Sequence, residues 1–210
     1  MAQQQLSLES NLRKNSLIAL AIATVCCVAS ALWIDIPLAY WIRSVQNSWT
    51  LEVGSWLEEA GKSHWAGVYS MVVVAIAWHK WRSVARKHLA FFFAIAVSGL
   101  VANIIKIIVC RSRPPLLIEQ GIAGWDLFAF RAEYLWNSFP SGHATTGIAI
   151  AVAGSIAIPK LRYFLWPVGL AIAFGRLLYN VHYLSDVLAG IAIGLVVSLI
   201  ATEQFKRPRS

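Results

Sequence analysis

Asn137-Ser138-Phe139-Pro140-Ser141-Gly142-His143 runs directly into the apolar stretch 144–159. A serine, a glycine and a histidine where a hydrophobic helix begins contribute little to a core. They suit an anion: glycine lets a ligand approach the backbone, the unpaired N–H groups of a first turn point at it, and the helix dipole favours negative charge. The run behind them has the length and composition of a membrane helix, so fold and chemistry meet at this point.

The rest of the chain supports a membrane setting. Of its 210 residues 58% are hydrophobic and 13% charged, with a mean hydropathy of +0.61; soluble domains have roughly 45–50% apolar and about 25% charged residues. The length has room for about six spans of ~20 residues with their loops and leaves none for a second domain of ordinary size. Residues 1–210 are therefore expected to form a single, all-α integral membrane domain. Apolar runs at 16–36, 65–78, 89–109, 142–158, 163–179 and 184–201 are the six expected transmembrane helices. The first could pass for a secretory signal, but it is long enough to span and ends in Trp33-Ile34-Asp35-Ile36-Pro37, which is not a small-residue cleavage site. Between Pro37 and Lys62, apolar Leu38, Trp41, Ile42, Val45, Trp49 and Val53 are interleaved with Arg43, Glu52, Glu58 and Glu59, the pattern of an amphipathic helix lying in the interface.

The net charge of +8 would suggest a nucleic-acid partner only if it were evenly spread. Six spans put both termini on one side together with Lys80, Arg82, Arg86, Lys87, Lys160 and Arg162. That side then carries +9 and the other −1. An excess of Lys and Arg marks cytoplasmic loops, so the termini are expected in the cytoplasm, with no nucleic-acid role. Cys26, Cys27 and Cys110 form neither a disulfide framework nor a metal-ligand pattern.

Lys106, Arg176 and Asp186 lie inside or at the edges of apolar runs, where charge is costly and marks a site by default. The expected topology brings them to one depth with Arg113, His143 and His182. Singly, each has an ordinary explanation: a snorkelling lysine, an interfacial arginine, a histidine facing headgroups. Together, on one side, they suit phosphoryl transfer. Lys106, Arg113 and Arg176 supply positive charge for a phosphate, and Ser141 with the backbone at Gly142 supplies donors. His182 and Asp186, four apart, are expected on one helical face, where the carboxylate holds one ring nitrogen and leaves the other basic. His182 is then the nucleophile and His143 the proton donor to the leaving oxygen. No metal or other cofactor is expected, because two histidines and one carboxylate among three cations make a poor cation site.

These residues are similar to the three-part signature of the type 2 phosphatidic acid phosphatase superfamily. The segments are Lys106-Ile107-Ile108-Val109-Cys110-Arg111-Ser112-Arg113-Pro114, then Pro140-Ser141-Gly142-His143, then Gly175-Arg176 through His182 to Asp186. The superfamily includes lipid phosphate phosphatases, glucose-6-phosphatase and vanadium haloperoxidases. The resemblance implies that Lys106, Arg113, Ser141, Gly142 and Arg176 bind phosphate, that His143 is the acid/base and His182 the nucleophile, and that Asp186 orients His182. It also implies a six-helix membrane fold without metal, with the site at the external face of the bacterial inner membrane. Where the family commonly has serine before the arginine of the third segment, this chain has Gly175.

Short bacterial members look like undecaprenyl-diphosphate, phosphatidylglycerophosphate or lipid A phosphatases. The favoured substrate is undecaprenyl diphosphate; phosphatidylglycerophosphate, phosphatidic acid and lipid A are alternatives. The lipid is expected to enter from the membrane beside the 37–59 segment, with the 116–135 loop covering its head. An anion transporter or channel is the non-enzymatic alternative, disfavoured by the apolar residues that close the path beyond Thr145-Thr146-Gly147. Gly190 and Gly194 offer a small-residue face for packing within one chain or in a homo-oligomer.

Overall fold

The computed structural model describes residues 21–206, all helix and connecting loop apart from one isolated β-bridge. The helices are α1, Ala21–Val45; α2, Ser48–Ala60; α3, Ser63–Ala77; α4, Arg82–Val109; α5, Pro114–Gln120; α6, Gly142–Ala157; α7, Arg162–Leu178; and α8, Leu184–Lys206. The polar start with Arg13 and Lys14, the beginning of the first run at Ser16, and Arg207 and Arg209 lie outside the described residues.

The all-helical membrane architecture is present, but the expected six spans are not. Among the described residues four helical stretches are long and apolar enough to cross a membrane: Ala21–Val45, Arg82–Val109, Pro159–Leu178 and Leu184–Phe205. Helix α3 has 15 residues; at ~1.5 Å per residue it covers about 22 Å of a hydrocarbon core ~30 Å thick. Helix α6 belongs to the same shorter class. Its apolar residues have a different cause, since Ala144 through Ala149 are all buried, with α4, α7 and α8 packed around them. Hydrophobicity in a sequence reports removal from water, and it reads the same whether protein or lipid does the removing.

The first helix also departs from expectation. It does not end at Pro37 but continues to Val45, so residues 37–45 belong to the span and the separate amphipathic helix begins only at Ser48. A π-turn at Ser30–Ile34, in which the Asp35 N–H reaches back to the Ser30 carbonyl, resets the ladder one turn before the proline. The missing Pro37 donor is thereby absorbed without breaking the helix. Helix α2 then starts at a capping box in which Asn47 and Thr50 exchange side-chain and backbone bonds, and it packs across α7.

Helix α6 is the centre of the bundle. Phe91, Ala94 and Ile95 of α4 form one core with its Ala149, Ala153 and Ala157, while its Ala144 joins Ala173 of α7 and Val187 of α8. Gly190 and Gly194 are spent within the chain: a Cβ on them would stand 2.4 Å from the Ser141 carbonyl and 2.5 Å from that of Thr145. This close approach fixes the start of α8 against the start of α6. The 116–135 connection opens with α5 and then folds back along 108–112, through Ser112 N–H to Gly124 O (3.0 Å), Asp126 N–H to Cys110 O (3.0 Å) and Phe128 N–H to Ile108 O (2.7 Å).

Candidate active site

Helices α4 and α7 finish, and α6 and α8 begin, at one end of the bundle. Cys110, in the left-handed conformation at φ 44°, turns the chain out of α4. Arg113 is extended because two prolines follow it and open α5. Ser141 caps α6, its hydroxyl accepting the Ala144 N–H and its own N–H reaching the Asp186 carbonyl at 2.9 Å. These local rules bring Lys106, Arg113, Ser141, Gly142, His143, Arg176, His182 and Asp186 into a single cluster.

Its cations are held in different ways. Lys106 Nζ donates to the carbonyls of Asn137 (2.8 Å) and Ser138 (3.2 Å), tying α4 to the segment that leads into α6. Arg113 is buried, with Nε on Tyr134 O (2.8 Å), Nη1 on Val181 O (3.1 Å) and Nη2 on Asn137 O (3.1 Å). Arg176 is 2% exposed. It lies 2.7 Å from the Glu58 carboxylate of α2, yet its Nε and Nη1 have no well-aligned acceptor. His143 Nε2 is likewise buried without a partner. Gly142 keeps the floor open, since even an added Cβ would come no closer than 4.0 Å to Lys106 Cε. Buried polar atoms without partners, set among positive charges, suit an anion.

His182 sits in the turn before α8 rather than on the helix, so its link to Asp186 is not the helical-face contact expected from their spacing. Asp186, in the first turn, reaches back: Oδ2 accepts the Tyr183 N–H (2.9 Å) and the Ser138 hydroxyl (2.5 Å), and lies 3.4 Å from His182 Nδ1. Its Oδ1 takes Arg111 Nη1 at 2.5 Å. Arg111 in turn donates Nη2 to Asp35 of α1 at 2.7 Å, while Asp35 accepts Ser30 Oγ (2.8 Å), Ser185 N–H (3.0 Å) and the Ser185 hydroxyl. The Arg111 guanidinium is sandwiched between the Trp125 ring (4.3 Å) and the Tyr183 ring (4.1 Å). A buried chain Asp35–Arg111–Asp186–His182 thus fixes the carboxylate behind the imidazole, and every charge in it has an opposite neighbour.

Burial, reinforced by the charges of Arg113, Lys106, Arg176 and His143, holds His182 well below the usual histidine range. Burial also pushes His143 down to about 4, with Arg176 adding to the fall and the Glu58 carboxylate and backbone opposing it. Both rings are neutral near neutral pH. A phosphate dianion placed among these groups would reverse the sign of the local field and favour the imidazolium.

The family model of the PAP2 superfamily matches residues 87–210, which contain all three signature segments. This chain belongs to the PAP2 superfamily. Two solved structures share its fold. The chain superposes on the crystal structure of a phosphatidylglycerolphosphate phosphatase of PAP2 type from Bacillus subtilis with a TM-score of 0.65 at 17% identity, covering 90% of this chain and 96% of that one. On Aquifex aeolicus LpxE the TM-score is 0.60 at 19% identity, covering 81% and 95%. In sequence, the PAP2 chain is 34% identical to the lipid A 1-phosphatase of Rhizobium johnstonii over 116 residues, 55% of this chain and 47% of the relative. It is 27% identical to the undecaprenyl-diphosphatase BcrC of Bacillus subtilis over 133 residues, 63% of this chain and 65% of the relative. The chain spans about half the length of the lipid A 1-phosphatases it matches.

Four polar residues in this PAP2 site were not given roles by the sequence. Asp35 and Glu58 lie before the matched region, and Arg111 and Ser138 stand inside or beside signature segments. A carboxylate in an apolar run was a usable signal for Asp35. Nothing in the spacing of Glu58 or Arg111 indicates what they face.

Proposed function

We propose that this protein is a membrane phosphatase that removes the terminal phosphate of a lipid phosphate or diphosphate, with undecaprenyl diphosphate the favoured substrate. The observation that carries this reading is the buried His182–Asp186 pair set among three cations whose neighbouring donors, Arg176 Nε and His143 Nε2, have no aligned partner. The cradle of Lys106, Arg113, Arg176, Ser141 Oγ and the N–H groups at Gly142 binds the phosphate. With its proton on Nδ1 toward Asp186, His182 presents Nε2 to phosphorus in line with the leaving oxygen. The N–P bond forms as the P–O bond to the lipid breaks, and His143 gives its proton to that oxygen. Water then attacks phosphorus, His143 takes the proton, the P–N bond breaks and inorganic phosphate leaves. The three cations neutralise charge throughout, the part a divalent ion plays elsewhere, so the reaction is metal-independent.

The opposite end of the bundle carries Lys80 and Lys160 in its connections and Arg82, Arg86, Lys87 and Arg162 in the first turns of α4 and α7. By the bias of basic residues, that end and the termini are cytoplasmic and the cradle opens to the outside. The deciding experiment is phosphate release by purified protein in mixed micelles containing EDTA, comparing undecaprenyl diphosphate, phosphatidylglycerophosphate, phosphatidic acid and lipid A. Undecaprenyl diphosphate is expected to turn over fastest. The 34% identity to a lipid A 1-phosphatase makes lipid A the reading that would replace it. His182→Ala is expected to release no phosphate, and turnover retained in that variant would remove the nucleophile.

A further inference from the structure

Lys106 and Arg113 meet backbone carbonyls, whereas Arg176 meets a carboxylate. That carboxylate is delivered by one face of α2, on which Gly54, Leu57, Glu58 and Gly61 follow one another at helical spacing. Each of these residues lies against α7 or the site. A Cβ on Gly54 would be 3.0 Å from the Tyr179 ring, and one on Gly61 would be 2.6 Å from Ile172 Cγ2 and 2.7 Å from the His143 ring. Leu57 occupies the space above Gly175, where an added Cβ would stand 2.7 Å from Leu57 Cδ1. Gly175, at the position where the family commonly has serine, therefore allows α2 to lie flush on α7 and sets Glu58 on Arg176.

We propose that the Glu58 carboxylate is an internal competitor for the phosphate site, neutralising Arg176 while the cradle is empty and giving way when a phosphate group binds. The proposal rests on the assignment of Arg176 to the phosphate cradle. Glu58 is suited to the exchange because it is charged and only partly enclosed, its side chain 34% exposed against 2% for Arg176. Partial burial raises its carboxyl, but the close ion pair with Arg176 outweighs burial and holds it below the ordinary carboxylate range. A phosphate oxygen displaces it by supplying the same guanidinium with stronger charge, and the released carboxylate swings toward solvent. Free inorganic phosphate must break the same ion pair without the help of a lipid tail. The carboxylate thus lowers the affinity for substrate and product by the same factor, and free phosphate, with no tail to hold it, leaves readily.

The test is direct binding of inorganic phosphate to the purified full chain in detergent, read by calorimetry and by the rise in unfolding temperature. Glu58→Gln keeps the shape and removes the charge, and Glu58→Ala removes the competitor altogether. Loss of one charge-assisted, partly exposed contact predicts phosphate affinity about tenfold tighter. Tightening in either folded variant supports the exchange. Unchanged or weaker affinity in both overturns it. Neither readout needs turnover: wild-type protein that binds inorganic phosphate but hydrolyses no lipid phosphate sinks the enzymatic assignment alone. Hydrolysis with no gain in phosphate affinity sinks only the role of Glu58.

Discussion

Replacing Asp35 with asparagine tests whether the first helix is part of the catalytic centre. In the wild-type protein this buried carboxylate accepts from Arg111 Nη2 at 2.7 Å, Ser30 Oγ at 2.8 Å, the Ser185 N–H at 3.0 Å and the Ser185 hydroxyl. Asparagine fills the same volume but offers one acceptor oxygen, and its amide hydrogens face groups that are themselves donors. Breaking one side of a buried, hydrogen-bonded ion pair costs about 3–5 kcal/mol, the loss expected in denaturant titration of the protein in micelles. Arg111 would then lean on Asp186 alone and pull that carboxylate away from His182. A displacement costing about 1.4 kcal/mol in the transition state lowers kcat about tenfold, with KM unchanged because no phosphate contact is touched. A cycle with Arg111→Met separates coupling from simple destabilisation: the double variant should recover about 2 kcal/mol relative to the sum of the single losses. Additive losses to within ~0.5 kcal/mol, or an Asp35→Asn variant with full kcat, would refute a link from α1 to His182.

Two further outcomes follow from the geometry. His143 falls from the ordinary 6.5 to about 4 in the folded protein, chiefly through burial. The unfolded chain therefore binds the proton first as pH falls, and stability is lost from about pH 6.5 down to about pH 4, by at most ~3 kcal/mol. Unfolding free energies across that window should show a shallower slope in His143→Gln than in wild type, and parallel curves would contradict a neutral buried His143. At Gly190 an alanine Cβ would meet the Ser141 carbonyl at 2.4 Å. Gly190→Ala is expected to destabilise by about 1–3 kcal/mol through overpacking and to raise KM by shifting the Ser141 end of the cradle, measured by unfolding and steady-state kinetics; a variant with wild-type stability would show that α8 can draw back from α6.

The site was more legible than the fold around it. Lys106, Arg176 and Asp186 stand out in sequence because charge in apolar runs has few ordinary uses, Arg113, His143 and His182 because they share the expected depth and the signature segments, and the structure gathers all six at one end. Helix α6 shows the limit of the same signal. Its residues are as apolar as those of a span, but they are buried by α4, α7 and α8, and their hydrophobicity cannot say which neighbour removed them from water. Pro37 misled for a related reason. A proline ends an ideal helix, but the π-turn at Ser30–Ile34 just before it is a property of the packed backbone and has no distinct residue signature.

Apolar run lengths, the asymmetry of Lys and Arg, and three spaced signature segments were enough to define an all-helical membrane protein and to single out the residues that gather at one end of the bundle, because desolvation cost restricts residue type locally. Asp35, Arg111 and Glu58 acquired their roles only from the tertiary structure. A charge pairs with whatever the fold sets against it, across separations of 76 residues for Arg111 and Asp35. The helix that places Glu58 on Arg176 docks through a glycine and a leucine whose fit depends on shape alone.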